Sequence, residues 1–165
     1  MRSKKGFIIT GIILAAITAG SFAIWFVPQN IQTKFVVSNA KEDLDALIEQ
    51  QKTISDLIAE EFDKMLAGQI TPDNYINTAE ISSSQINSFI IGIIESDVPA
   101  EWQSSYSEYT GFLRAYNSYL RETIVIAEKL KADPQADISQ ETEKLDGFLS
   151  EADQYLAASN AARPS

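Results

Sequence analysis

The chain contains no cysteine and no histidine in 165 residues. Without cysteine there is no disulfide, no thiolate nucleophile and no thiolate metal site. Without histidine the usual zinc and haem ligand is missing, as is the general base that titrates nearest neutrality. Glycine is scarce, with seven residues, and none falls in a G-x-G or G-K-[ST] pattern that would cradle a phosphate. Acidic side chains are absent before Glu42, and beyond Lys5 only ten Lys and Arg face 23 Asp and Glu. That portion carries about −13. Such a charge repels phosphate backbones and anionic headgroups, which excludes nucleic acid as an expected partner and favours solubility.

The long apolar run stands at the other end of this asymmetry. Phe7 to Val27 reads FIITGIILAAITAGSFAIWFV, 21 residues without a charge. As a helix it spans about 31 Å, close to the hydrocarbon thickness of a bilayer. Thr10, Thr18 and Ser21 are tolerable because their hydroxyls bond back to helix carbonyls. Trp25 suits the lipid–water boundary, and Pro28 discourages continuation. Arg2, Lys4 and Lys5 precede the run and place the N-terminus in the cytoplasm. Residues 1–6 therefore read as a basic cytoplasmic segment, 7–28 as a single transmembrane anchor in the lipid bilayer, and 29–38 as a connector. A cleaved secretory signal is the competing reading, with Ser21-Phe22-Ala23 at a plausible cleavage spacing. The apolar run continues past it through Ile24-Trp25-Phe26-Val27, longer than a signal core requires. Both readings export the remainder of the chain.

Lys5-Gly6-Phe7-Ile8, a basic residue, a small residue and an unbroken apolar helix, resembles the processing site of archaeal type IV prepilins. The resemblance covers about 25 residues and implies cleavage after Gly6 and packing of the apolar helices into a filament core. Position five beyond that cut is Gly11, where bacterial pilins carry Glu. The distal domains of that family are β-rich, and the remainder of this chain reads as helical.

Four amphipathic stretches follow, divided by short breaker-rich turns. The first runs from Ala40 to Ala67, opened by a capping box of Asn39 and Glu42 and closed by Gly68. Leu44, Leu47, Ile54, Ile58 and Met65 form its seam, interrupted by Gln51 and Glu61 and widened by Ile48, Leu57, Phe62 and Leu66. Lys41/Asp45, Lys52/Asp56 and Glu60/Lys64 are spaced for pairing along its solvent face. The second opens at Thr71-Pro72-Asp73 and carries Ile76, Ala79, Ser83, Ile86, Ile90 and Ile93 inward. Ser82-Ser83-Ser84 and Gly92 weaken it, so packing must hold it and a neighbour can approach closely.

The third stretch, from Asp97-Val98-Pro99 to Ala132, gives the clearest pattern. Trp102, Tyr106, Tyr109, Leu113, Tyr116, Leu120, Thr123, Ala127 and Leu130 alternate by four and three, with Phe112, Tyr119 and Ile126 broadening the stripe. The fourth starts near Asp137 with Gln140 as reciprocal cap, and Ile138, Leu145, Leu149, Ala152 and Leu156 form its seam beside Phe148 and Tyr155. Residues 158–165 read as a frayed tail. Short connections force successive helices antiparallel, so the expected fold is all-α: an up-down-up-down four-helix bundle over 39–157 behind one transmembrane helix.

Trp102, Tyr106, Tyr109, Tyr116 and Tyr119 are the candidate site. They read either as core with hydroxyls at the rim or as an aromatic face for an apolar ligand or partner helix. Carboxylates cluster at Glu42/Asp43/Asp45, Glu60-Glu61 and Glu95/Asp97, but a di-metal bundle needs His, and Asp133-Pro-Gln-Ala-Asp137 lacks the calcium-loop pattern. Glu61 on the first seam reads as a side chain snorkelling from the stripe's edge. No Ser-His or Cys-His arrangement is possible, so no enzyme and no cofactor are expected. The expected function is a membrane-anchored, extracytoplasmic prokaryotic bundle working by protein contact, as an accessory subunit among other membrane or envelope proteins. A ligand-binding or sensory module on the Tyr-rich third helix is the alternative, and a pilin-like filament subunit the second alternative.

Overall fold

The computed structural model describes Val37 and residues 39–164. The basic segment 1–6, the anchor expected over 7–28 and all of the connector except Val37 lie outside the described residues. Among those described there is no strand, and no helix is long and apolar enough to cross a membrane. The described residues form four α-helices: α1 Ala40–Leu66, α2 Pro72–Ile94, α3 Gln103–Ala132 and α4 Ser139–Ala161. A 3-10 turn, Ala100–Trp102, leads into α3.

The helix ends show where local chemistry acts. Gly68 takes φ +70°, and the Gly68 and Gln69 amides donate to the Met65 and Lys64 carbonyls at 2.9 and 2.8 Å, closing α1 with a Schellman motif. Thr71 Oγ1 accepts from the Asn74 amide at 3.3 Å, with Pro72 at the first helical position of α2. The other expected starts differ. Asn39 makes no side-chain cap; its own amide donates to Asp43 Oδ2 at 3.3 Å, so the reciprocal arm comes from Asp43 and not from Glu42. Pro99 lies outside α3, at the head of the 3-10 turn. Asp137 Oδ1 accepts from the Ser139 amide at 3.0 Å and from its hydroxyl, an Asx turn that starts α4 two residues late without help from Gln140.

Contacts between opposite helix ends establish antiparallel neighbours. Phe62 near the end of α1 meets Tyr75 near the start of α2, with ring centroids 5.3 Å apart. Lys131 at the end of α3 pairs with Asp73 of α2, and Lys129 with Glu141 of α4 at 3.0 Å. Arg163, just beyond α4, pairs with Asp45 in the first turns of α1. Helix α3 is central, packing most extensively against α4 and α2. Its stripe of Tyr106, Tyr109, Leu113, Tyr116, Leu120, Thr123 and Ala127 is buried as the spacing predicts, and Phe112 and Ile126 broaden it. Each such large apolar side chain contributes about 1.5–3 kcal/mol by leaving water.

The outer helices bury narrower stripes than their apolar content suggests. On α1, Gln51 does not interrupt the seam; it is buried within it, its amide donating to Ser55 Oγ. Leu57 and Leu66 do not widen that seam but are exposed, each about 100° round the helix from buried Ile58 and Met65. On α2 the fully buried stripe is Tyr75, Ala79, Ser82, Ile86 and Ile93, so Tyr75 and Ser82 join the inward face beside half-buried Ile76 and Ser83. Helix α4 buries only Leu145, Ala152 and Ser159, at sevenfold spacing, and leaves Leu149 exposed.

Two small-residue contacts seat α4 on α3. The ring of Tyr155 lies against Gly111, where a Cβ would come within 2.6 Å of it. Ser105 and Ser159 are both fully buried, and each hydroxyl donates to the other's carbonyl at 2.8 Å. The frayed tail expected from Ala158 is therefore corrected: α4 continues to Ala161 because Ser159 is locked against α3 and Arg163 is held by Asp45.

Candidate functional site

The five aromatic candidates follow from one helical face of α3 and its lead-in turn. Tyr106, Tyr109 and Tyr116 are 1%, 0% and 4% exposed, whereas Trp102 and Tyr119 are half-buried at the margin. Their i, i+3 and i+4 spacing stacks the rings into a ladder along the helix. Tyr109 and Phe112 have centroids 5.4 Å apart, Phe112 and Tyr116 6.3 Å, and Tyr116 and Tyr119 5.5 Å, with interplanar angles of 20°, 22° and 28°. Phe112 is the rung that completes this ladder. Tyr75 of α2 adds a further buried ring, a core position signalled only by its place four residues beyond the Thr71 cap.

The hydroxyls have divergent fates. Tyr106 Oη donates to the Ala40 carbonyl at 2.8 Å, tying α3 to the first residue of α1. Burial pushes this phenol up to about 12, with the Asp43 and Asp45 carboxylates adding to the rise and Arg163 opposing it. Tyr75, Tyr109 and Tyr116 hydroxyls are buried without a hydrogen-bond partner. They do not reach the rim, as a purely structural aromatic stripe would arrange them. Burial raises all three phenols well above their ordinary range; nearby Thr123 moderates Tyr75 and nearby Ser55 moderates Tyr116 without closing a hydrogen bond. Buried phenols of this kind keep their proton at neutral pH and stay uncharged.

A second polar element lies between α2 and α3. Ser83 donates to Asn117 Oδ1, and Asn117 Nδ2 donates to Asn87 Oδ1 at 3.0 Å. Asn117 is buried, so this chain of amides and a hydroxyl fixes the register of the two helices. Neither the helical period nor the turn chemistry signals it, because Asn117 falls between apolar seam positions.

Charged groups stay at the margins. Glu61 lies at the stripe's edge, and Lys64 joins it at 2.9 Å and Glu60 at 2.7 Å, holding the Glu60 carboxyl below its usual range. Asp45 engages Arg163 rather than Lys41. Among the described residues no three acidic side chains gather as a metal site would need.

Two open clefts mark the surface. One of about 380 Å³ lies between α1 and α2, lined by Gln50, Thr53, Ile54, Gln85, Ser88 and Phe89. The other, about 370 Å³, includes Ile94, Val98, Gln103, Tyr106 and Arg114 where α2 meets α3. Ser96, Asp97 and Ser107 also line the second cleft, and the Ser96 hydroxyl donates to the Ile93 carbonyl at 2.6 Å. The distinctive surface is apolar: Ile81, Ile91 and Ile94 of α2 are 54%, 53% and 61% exposed. They belong to a 14-residue stretch, 81–94, that holds no charge in a chain of net charge −10.

Fold and site together define an all-helical bundle with a closed aromatic core and an uncharged outer face. Set against known protein families, curated proteins and solved structures, the chain matches none of them.

Proposed function

We propose that this chain is a membrane-anchored, extracytoplasmic helical-bundle protein that works by protein contact, as a non-enzymatic accessory subunit of a membrane or envelope complex. The observation that carries this reading is the uncharged α2 surface with its exposed isoleucines. Exposed apolar area of this kind, in an otherwise acidic domain, marks contact sites on soluble surfaces. The anchor belongs to the proposal through the sequence: the uncharged run 7–27 behind Arg2, Lys4 and Lys5 localises the domain.

The burial of Tyr106, Tyr109 and Tyr116 favours contact over ligand sensing, since those rings already serve as core. Co-purification of the full chain in mild detergent is the test. Partner proteins retained by the natural protein, and lost when Ile81 and Ile91 are both replaced by Glu, are the expected result. Recovery from the cytosolic fraction, or retention of the same partners by the double variant, sinks the reading. Intact mass separates the anchor from the pilin-like alternative, which requires cleavage after Gly6.

A further inference from the structure

Helix α2 carries a second seam on its solvent side. Asn77, Ile81, Ser84, Ser88, Ile91 and Glu95 are all exposed and recur at spacings of four, three, four, three and four. A four–three alternation places them on one face, as the seam of a helix pair requires. Helix–solvent faces elsewhere in this domain are charged; this one is Asn, Ile, Ser, Ser and Ile before its terminal Glu95.

The inner four residues, Ile81, Ser84, Ser88 and Ile91, read the same in both directions, and the ends pair an amide with a carboxylate. The two serines lie two residues either side of Ile86, the two isoleucines five residues either side, and Asn77 and Glu95 nine residues either side. In a closed twofold pairing each position meets its mirror position on the other copy, so this order makes the face complementary to itself. From this geometry we propose that two copies of the chain pair antiparallel through the outward seams of α2.

In that pairing Ile81 meets the second copy's Ile91, and Ser84 meets its Ser88. Asn77 faces the opposite Glu95, an amide donor against a carboxylate. Small serines at the crossing let the helices approach closely, and Gly92 beside them has open space where a Cβ would stand. The α1–α2 cleft, lined in part by Ser88, flanks the seam and receives side chains from the second copy. Electrostatics points to the same face. Two chains of net charge −10 repel, and the charge-free stretch 81–94 is where that repulsion is weakest.

This inference deepens the contact reading by naming a second copy as the occupant of the face. The test uses the full chain in mild detergent, with oligomeric mass from light scattering and disulfide trapping. Native cysteine is absent, so introduced thiols report single sites. A dimer is expected, and a mixture of Ser84→Cys and Ser88→Cys chains should trap the 84–88 pair in preference to either like pair. Ile81→Glu occurs twice per interface by symmetry and should raise the dimer dissociation constant more than about 30-fold. Its helical circular dichroism should not change, because Ile81 is outside the core. Val125→Glu, another exposed apolar position, should leave the mass unchanged.

A monomer at tens of micromolar (order of magnitude for a specific weak dimer), a dimer that survives Ile81→Glu, or preferential 84–84 trapping overturns the proposal. If the chain is monomeric while Ser88→Cys traps a different protein, the second copy is excluded and the contact reading stands. If it is monomeric and traps nothing, both fall.

Discussion

Tyr106 and Tyr109 lie three residues apart on one helical face, yet their hydroxyls have opposite hydrogen-bonding fates. Tyr106 Oη donates to the Ala40 carbonyl, whereas Tyr109 Oη is buried with no partner. Removing a satisfied hydroxyl loses a net bond, about 0.5–1.5 kcal/mol. Deleting an unsatisfied one relieves its desolvation at no loss of bonding. Tyr106→Phe should therefore destabilise by about 1 kcal/mol, while Tyr109→Phe should be neutral or stabilise by a similar amount. Urea unfolding of the two variants measures the difference, and equal losses at both positions refute the assignment. Gln51 and Asn117 make a related point at this scale. Both are polar residues at buried positions, and both are tolerated because a neighbouring hydroxyl or amide completes them.

At the scale of the helix, α4 depends on its last turn more than its composition indicates. Its buried stripe is only Leu145, Ala152 and Ser159, and Ser159 exchanges two hydrogen bonds with Ser105. Ending the chain after Ala157 removes that exchange and the Arg163–Asp45 pair together. The exposed ion pair contributes little, about 0–1 kcal/mol. The buried serine exchange contributes more, since Ser105 is left with no partner, a penalty of about 1–3 kcal/mol. Truncation should lower stability by about 1–4 kcal/mol in all. Hydrogen exchange should show α4 opening ahead of α3. Unchanged stability of the shortened chain would mean the tail is dispensable.

Across the whole domain, the buried phenols make stability sensitive to alkali. The phenols of Tyr75, Tyr109 and Tyr116 are raised by burial above their ordinary value of 10.0. Below that pH they are protonated in both folded and unfolded chains and contribute no pH dependence. Above it the unfolded chain releases protons that the folded one retains, so stability falls as pH rises through 10. Each such group removes about 1.4 kcal/mol per pH unit in that window. Thermal unfolding followed from pH 7 to pH 11 (roughly one unit beyond the ordinary phenol value) should show a flat midpoint and then a steep drop. Replacing Tyr109 and Tyr116 by Phe should flatten the drop.

The fold class was legible in the residues because periodicity is a local property. The four–three alternation of α3, the Thr71-Pro72 start and the Gly68 stop each act within a few residues, and each appears where the spacing places it. Helix α2 shows the limit. Its apolar content is so even that Tyr75 and Ser82 are buried while Ile76 and Ser83 beside them are half-buried, and its second seam at Ile81 and Ile91 was hidden by the first. Which of several apolar faces is covered depends on how many neighbours a helix has, and α3 has more than α4. That is why Leu57, Leu66 and Leu149 are left outside although each is apolar.

By itself, the sequence determined that this chain makes helices, where most of them stop, and that its chemistry excludes imidazole and thiol groups. Those are matters of side-chain identity and of contacts reached within one or two turns. Only the tertiary structure decided which tyrosine hydroxyls find a carbonyl, that Ser105 and Ser159 clasp across 54 positions of chain, and which isoleucines remain on the surface. Those outcomes turn on distances between segments far apart in sequence, and no local pattern encodes them.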